Sequence, residues 1–318
     1  MSGAFDSVLL IAFGGPTRME EVRPFLANVT YGRPIPAARL DAVVHHYELI
    51  GGRSPLNDHT ERQAIALAAG LRRGGPALPV FVGMRNWHPY LHETLADMAA
   101  RGLHRAVGVI LSAQQNEAGW NRYQDNVAAA RAKVSARAPE VVYAPPWPDH
   151  PLFVAAVADH TGTALARVPA DARAATHTIF TAHSIPVAMA DHCPYVAQIH
   201  AGARAVASQL GLANWSIAYQ SRSGNPHDPW LEPDIGDALR ELAGRGVRHV
   251  VVTPIGFVCD HVEVLYDLDI EARAIADALG VGFERASTVN DHPLFIRMLV
   301  DIVRQTIAAA SESAVRAD

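Results

Sequence analysis

The sequence predicts an α/β protein of two similar Rossmann-like lobes, each built on a doubly wound parallel sheet, facing one another across a cleft. Three observations carry this. Short apolar or β-branched runs, such as Val8 to Ala12 and His249 to Thr253, have the length and continuity of strands buried on both faces. Helix-length segments separate them, which is the spacing of parallel crossover units. The order then restarts after Pro145-Pro146-Trp147-Pro148, a stiff connector, so the division falls between 1–147 and 148–318, with the candidate metal-site residues in the second lobe. No repeat is apparent at the level of residues, so the likeness of the lobes rests on element order.

Taken in order, Val8 to Ala12 is a strand that ends at Phe13-Gly14-Gly15-Pro16, a tight turn. Thr17 with Glu20 three residues on reads as a capping box that starts a helix. Helices follow at Pro36 to Leu49 and Thr60 to Arg72, with the glycine-rich Gly51 to Pro55 between them. Then come a strand (Pro79 to Met84), a helix (Leu91 to Arg101), a strand (Ala106 to Ser112), a helix (Trp120 to Arg137) and a strand (Val141 to Ala144). Beyond the connector, helices are expected at His150 to Ala166, Pro194 to Leu210, Ile235 to Ala243, His261 to Leu279 and Pro293 to Ala308. The strands among them are His177 to Ala182, Trp215 to Tyr219, His249 to Thr253 and Val281 to Arg285.

Composition narrows the function classes. The chain has 318 residues, 49% hydrophobic and 19% charged, which suits one large or two ordinary domains and argues against disorder. The net charge of −5, without a basic run, disfavours nucleic acid as a partner. Two cysteines, Cys193 and Cys259, with no CxxC, disfavour a disulfide framework or zinc site and fit a reducing cytoplasm. The opening residues lack the charged region of a signal peptide. No apolar run reaches the ~18 residues that span a bilayer.

Ligands of open α/β sheets bind beyond the carboxyl ends of the strands. There, the stretch Thr253 to Glu271 stands out. Glu263, Asp267 and Glu271 are spaced i, i+4, i+8 and fall on one helix face, with Asp260 near the same stripe. Periodicity alone leaves two readings: a solvated acidic face, or a row of hard oxygen ligands passing a divalent cation into a cleft. His183, at another strand end, supplies a nitrogen for a metal or a base near neutrality, and with Glu263 would make a His/carboxylate site with open positions. Alone, one of 16 histidines is equally a loop residue. Arg33, Arg53 and Arg85 are potential carboxylate binders or plain surface residues. Gly14-Gly15 is a turn that lets something flat approach the backbone, and Cys259 a small buried apolar residue.

Several blocks together resemble the ferrochelatases. They are Val8 to Pro16, His46-Tyr47 with Gly51-Gly52-Arg53-Ser54-Pro55, Arg85-Asn86-Trp87-His88-Pro89, Thr181-Ala182-His183-Ser184-Ile185-Pro186, Tyr219-Gln220-Ser221-Arg222-Ser223-Gly224, Trp230-Leu231 and Gly256 to Asp269. The likeness is strongest to the actinobacterial branch. It implies a porphyrin cleft between the lobes and insertion of ferrous iron into coproporphyrin III, giving coprohaem on the way to haem. His183 would accept pyrrole protons or bind the incoming iron, with Glu263 assisting. Asp267 and Glu271 would form an outer iron path. Phe13, Arg33, Ser54 and Arg85 would line the cleft, the arginines and Ser54 near propionates, and Arg53, Gln115, Glu117 and Tyr123 complete the expected porphyrin-binding set. The resemblance also implies a cytoplasmic monomer without membrane insertion. Ferrous iron would be substrate rather than cofactor, and a coprohaem decarboxylase would act downstream.

One departure concerns Ser112-Ala113-Gln114-Gln115-Asn116-Glu117-Ala118-Gly119-Trp120, where Trp120 occupies the branch's cysteine position. The C-terminal cysteines are missing too, so no iron–sulfur cluster is expected, since four thiolates normally hold one. This loop leaves open a chelatase for another tetrapyrrole or divalent metal, or a non-catalytic tetrapyrrole-binding protein.

Overall fold

A computed structural model describes residues 4–32, 35–223 and 228–315. The first lobe runs β1 (Ser7–Ala12), α1 (Val22–Val29), α2 (Ala37–Leu49), α3 (Leu56–Gly74), β2 (Val80–Met84), α4 (Leu91–Ala100), β3 (Arg105–Ile110), α5 (Arg122–Val134) and β4 (Glu140–Tyr143). The second runs α6 (Pro151–Arg167), β5 (His177–His183), α7 (Val187–Ala190), α8 (Tyr195–Leu210), β6 (Trp215–Gln220), α9 (Ile235–Gly244), β7 (His249–Thr253), α10 (Val262–Leu265), α11 (Arg273–Ala278), β8 (Gly282–Arg285) and α12 (Pro293–Val315). Each lobe holds a four-stranded, all-parallel sheet, ordered β2-β1-β3-β4 and β6-β5-β7-β8. The central strands are covered by helices on both faces, which is why β1 is buried along its whole length and reads as an unbroken apolar run.

The two sheets share more than topology. Ala12 pairs with Met84 and Ala182 with Tyr219. Met84 and Tyr219 each donate a backbone N–H to a proline carbonyl, Pro89 and Pro233, at 2.8 Å. Ala12-Phe13-Gly14-Gly15-Pro16 therefore corresponds to Ala182-His183-Ser184-Ile185-Pro186. After the last strand of each sheet the chain reads Asp149-His150-Pro151-Leu152-Phe153 and Asp291-His292-Pro293-Leu294-Phe295. A residue-level repeat does exist, contrary to the sequence reading. It is short, and only the register shows that the two copies occupy equivalent seats.

The repeat opens α6 and α12 in the same way. His150 Nδ1 accepts from Leu152 N–H and His292 Nδ1 from Leu294 N–H, both at 3.2 Å, so an imidazole satisfies one orphan donor of each helix. The phenylalanines that follow turn inward and meet with ring centroids 6.5 Å apart, and Trp147 packs on both at 5.1 and 5.6 Å. From this junction α12 runs back along α3. A methyl group added at Gly70 would come within 2.7 Å of Val300, so the two helices pack closely there. One core cluster consequently joins residues of both sheets, including Leu10, Val107, Phe180 and Ala182.

Three element boundaries differ from expectation. Thr17 is met by Glu21, not Glu20: the Glu21 carboxylate accepts from Thr17 N–H and Oγ1 at 2.9 and 3.0 Å. A short 3-10 turn, Met19–Glu21, precedes α1, so the cap closes over four residues rather than three. The helix expected from Trp120 is entered through a π-helical turn, Glu117–Asn121. The helix expected from His261 to Leu279 is broken into α10, a π-helical turn (Asp267–Ala272) and α11. Equivalent helices of the two lobes thus both carry a π turn, a feature often found at functional sites.

Removing the Phe295 ring should leave a cavity beside Trp147 and Phe153. Phe295→Ala is expected to lower the unfolding free energy by about 3–5 kcal/mol, read from the urea midpoint by tryptophan fluorescence.

Candidate active site

His183 is the last residue of β5, and Glu263 lies in the first turn of α10, after the loop that leaves β7. The two meet because that loop crosses β5 in close contact. Gly256 N–H donates to Thr181 O at 3.0 Å, and a Cβ on Gly256 would lie 2.5 Å from Ala182 Cβ and 2.7 Å from its Cα. Only glycine allows this approach. His183 directs Nδ1 at the Ser184 carbonyl, so that nitrogen carries hydrogen, and Nε2 faces Glu263 Oε1 at 3.4 Å. The other Glu263 oxygen lies 3.5 Å from His261 Nε2. Tyr195 donates its hydroxyl to His183 O at 2.9 Å, and Gln220 Nε2 donates to Glu263 O. The two side chains are 30% and 35% exposed, so both can be reached from solvent.

Burial alone would disfavour a charge on either group. For His183 the Glu263 carboxylate overcomes it, by charge and hydrogen bond, and with the Ser184 carbonyl and Asp267 raises the imidazole to about 9. For Glu263 burial is likewise outweighed, by His183 and then His261, and the carboxyl falls well below its usual range. The pair therefore stands as imidazolium and carboxylate at neutral pH. Because the His183 value lies above that of a free imidazole, 6.5, the stability this contributes is complete below pH 6.5 and is lost as pH rises through about 9.

Asp267 lies behind the pair and accepts the Ser221 hydroxyl. Burial pushes its carboxyl up to about 7; Ser221 opposes this, and the charges of Glu263 and Glu271 add to it. Glu271 is exposed at the outer end, its carboxyl raised by what burial it has and by Asp234. The π turn, with Glu271 N–H reaching Tyr266 O at 2.9 Å, replaces the straight helix that the i, i+4, i+8 spacing assumed. Asp260 leaves the stripe altogether. Lying before the helix, it accepts from Arg285, Thr288 and Asn290 at 3.1, 3.0 and 3.3 Å and serves the loop's own framework.

The first lobe supplies a packed aromatic cluster. The Arg85 guanidinium lies 5.8 Å from the ring centres of both Phe13 and Tyr123. Phe25 packs edge-on against Phe13, Tyr47 and Trp87. Gly14, at φ +84°, lets the turn pass against Trp87, and the Asn57 amide clasps Gly15, accepting its N–H at 2.9 Å and donating to its carbonyl at 3.0 Å. Ser54 is buried, and its hydroxyl accepts from Leu56 N–H at 3.3 Å at the head of α3. Arg53 is exposed and paired with Asp58. Gln115 is engaged by Gln198 of α8, and Glu117 is exposed at the start of its π turn. Trp120 is buried in the same core cluster as Leu91 and Tyr123. Arg33 lies outside the described residues. Of the expected porphyrin set, Phe13, Arg85 and Tyr123 converge.

Three site residues escaped the sequence reading. His261 precedes Glu263 by two positions, which on a helix would point them apart. His261 is instead extended, at φ −159°, and so turns back on the carboxylate. The His46 ring of α2 stacks on Tyr266 across the lobes, centroids 3.5 Å apart and planes 10° off parallel. Tyr47 is buried, and burial followed by the nearby Glu263 charge raises its phenol above the ordinary value. The His46-Tyr47 pair was visible as a motif, but its partners lie in the other lobe.

The family described as Ferrochelatase matches residues 6–307 of the chain. A Mycolicibacterium smegmatis protein named coproporphyrin III ferrochelatase is 43% identical over 96% of this chain and 90% of its own. Proteins of the same name from Nocardia farcinica (44%, over 95% and 88%) and Mycobacterium tuberculosis (45%, over 94% and 86%) are similar too. Among solved structures, SirB from Bacillus subtilis with Fe3+ overlays with a TM-score of 0.60 at 12% identity, covering 97% of this chain and 98% of that one. The sirohydrochlorin chelatase SirB in complex with cobalt gives 0.56 at 11%, covering 96% of each. At these identities the two structures show the fold alone.

The electrostatic coupling can be read directly. In Glu263→Gln, the His183 imidazole should titrate nearer 6.5 than 9, followed by its ring carbon and proton shifts in NMR.

Proposed function

We propose that this chain, which belongs to the ferrochelatase family, inserts ferrous iron into coproporphyrin III to give coprohaem in haem biosynthesis. The names of its relatives support this substrate pair. The observation that carries the reading is the His183–Glu263 pair at 3.4 Å, placed at neighbouring strand ends with both side chains partly exposed.

Metal insertion requires two pyrrole protons to leave while a dication enters. A base must therefore sit over one face of the ring, and a base tuned near neutrality serves best. His183 is held in position from behind by Ser184 and Tyr195, and its Nε2 is the atom presented. While Glu263 is an unshared carboxylate, His183 keeps its proton. A ferrous ion approaching Glu263 takes over that negative charge; burial then favours the neutral imidazole, whose Nε2 proton passes to solvent, which the side chain reaches at 30% exposure. In this reading, iron arrival frees the base. Asp267 and Glu271 lead outward from Glu263 and would guide the cation in. Phe13 offers a flat apolar contact, and Arg85, steadied over two rings, is suited to a propionate.

Iron is substrate here. A cluster bound by four cysteines of one chain does not fit a sequence with two, of which Cys259 is buried with its thiol pushed up to about 12 by burial. No helix among the described residues is long and apolar enough to cross a membrane. A cytoplasmic monomer that passes coprohaem to a decarboxylase completes the proposal.

Three measurements test it. Under anaerobic conditions with ferrous iron, loss of the free-base spectrum should be faster for coproporphyrin III than for protoporphyrin IX; equal inertness of both would exclude the assignment. His183→Ala should cut turnover by at least about 100-fold while porphyrin still quenches protein fluorescence; full activity would remove His183 from the reaction. Asp267→Asn should raise the KM for iron about five-fold, the equivalent of ~1 kcal/mol of electrostatic guidance, with porphyrin KM unchanged.

A further inference from the structure

The loop between β3 and α5 is fastened to the other lobe by amides. Gln115 N–H donates to Gln198 Oε1 at 2.7 Å, and Gln198 Nε2 donates back to Gln115 Oε1 at 2.9 Å. The backbone N–H can only meet an oxygen, which fixes the orientation of the Gln198 amide and hence its second bond. One residue earlier, the buried Gln114 donates Nε2 to Ile255 O at 3.3 Å. One residue later, Asn116 Oδ1 accepts from Gly119 N–H at 2.6 Å and caps the π turn, Glu117–Asn121. That turn delivers Tyr123, over whose ring Arg85 lies.

Gln198 is on α8, and its two bonds go to Gln115. From this geometry we propose that Gln198 is a positioning residue for tetrapyrrole binding: its amide clamps Gln115, sets the capped π turn, and so fixes the buried Tyr123 ring over which the Arg85 guanidinium lies. The inference rests on the chelatase reading above. The clamp acts on the macrocycle side of the site, whereas the iron side is held by Glu263 and Asp267. Porphyrin and metal affinities should therefore separate.

The test compares the full-length wild type with Gln198→Ala and Gln198→Glu. Gln198→Ala should raise the KM for coproporphyrin III about five- to ten-fold while kcat per folded molecule and the KM for iron hold. Gln198→Glu keeps an acceptor for Gln115 N–H but loses the donor to Gln115 Oε1, and should fall between. Hydrogen exchange in residues 112–121 should quicken about ten-fold in Gln198→Ala with the rest of α8 unchanged, a readout that needs no turnover. An unchanged porphyrin KM in folded Gln198→Ala, or unchanged exchange in 112–121, overturns the proposal. A loss of activity that only tracks a lower folded fraction also overturns it, because that is what a purely structural residue would give. Failure of the wild type itself to convert porphyrin would instead overturn the chelatase reading, and the exchange measurement would still judge the clamp.

Discussion

The approach of Gly256 to β5 is the constraint on which the site depends. A parallel sheet keeps neighbouring strands apart at the ladder spacing, and side chains at two strand ends do not meet merely because the strands are paired. Here the β7 loop leaves the ladder and crosses Ala182 at a distance that a side chain would forbid. That crossing brings Glu263 Oε1 to within 3.4 Å of His183 Nε2. Tyr195 and Gln220 then hold the two backbones by their carbonyls, and His261 holds the carboxylate from its far side. The charges on the pair are a product of this enforced nearness. Burial opposes each of them, and each is the other's chief support.

Packing explains how the pair stays aligned with the opposite lobe. The lobes are joined by the Trp147–Phe153–Phe295 junction and by α12 lying along α3, not by a flexible linker alone. Near the cleft they are joined again by polar ties. Buried Gln114 donates to Ile255 O at 3.3 Å, and Gln115 and Gln198 exchange two bonds. Buried amides in such places cost stability unless satisfied. Satisfied, they fix one arrangement of two surfaces that apolar contact alone would let slide.

The strands and their order were legible because parallel strands buried on both faces leave continuous apolar runs, and turn residues bound them. His183 and Glu263 were legible through their motifs at strand ends. What the sequence concealed was geometry that departs from regular periods. The acidic stripe was read on a straight helix, whereas a π turn intervenes at Asp267. Asp260 sits in phase with that stripe but is claimed by Arg285 from a distant strand. Helical spacing would turn His261 from Glu263, and its extended backbone reverses that. In each case a long-range partner or a local break in periodicity decided the outcome, and neither is written in the neighbouring residues.

The matched register of the two sheets gives Phe13 and His183 the same seat in their respective lobes. One seat holds a ring with no atom that can accept a proton or ligate a metal; the other holds a ring that can do both. A planar guest lodged between them would have chemically unlike faces although its own skeleton is nearly symmetric. Traffic of protons and metal would then be confined to a single side, because only one of the two equivalent positions carries ring nitrogens.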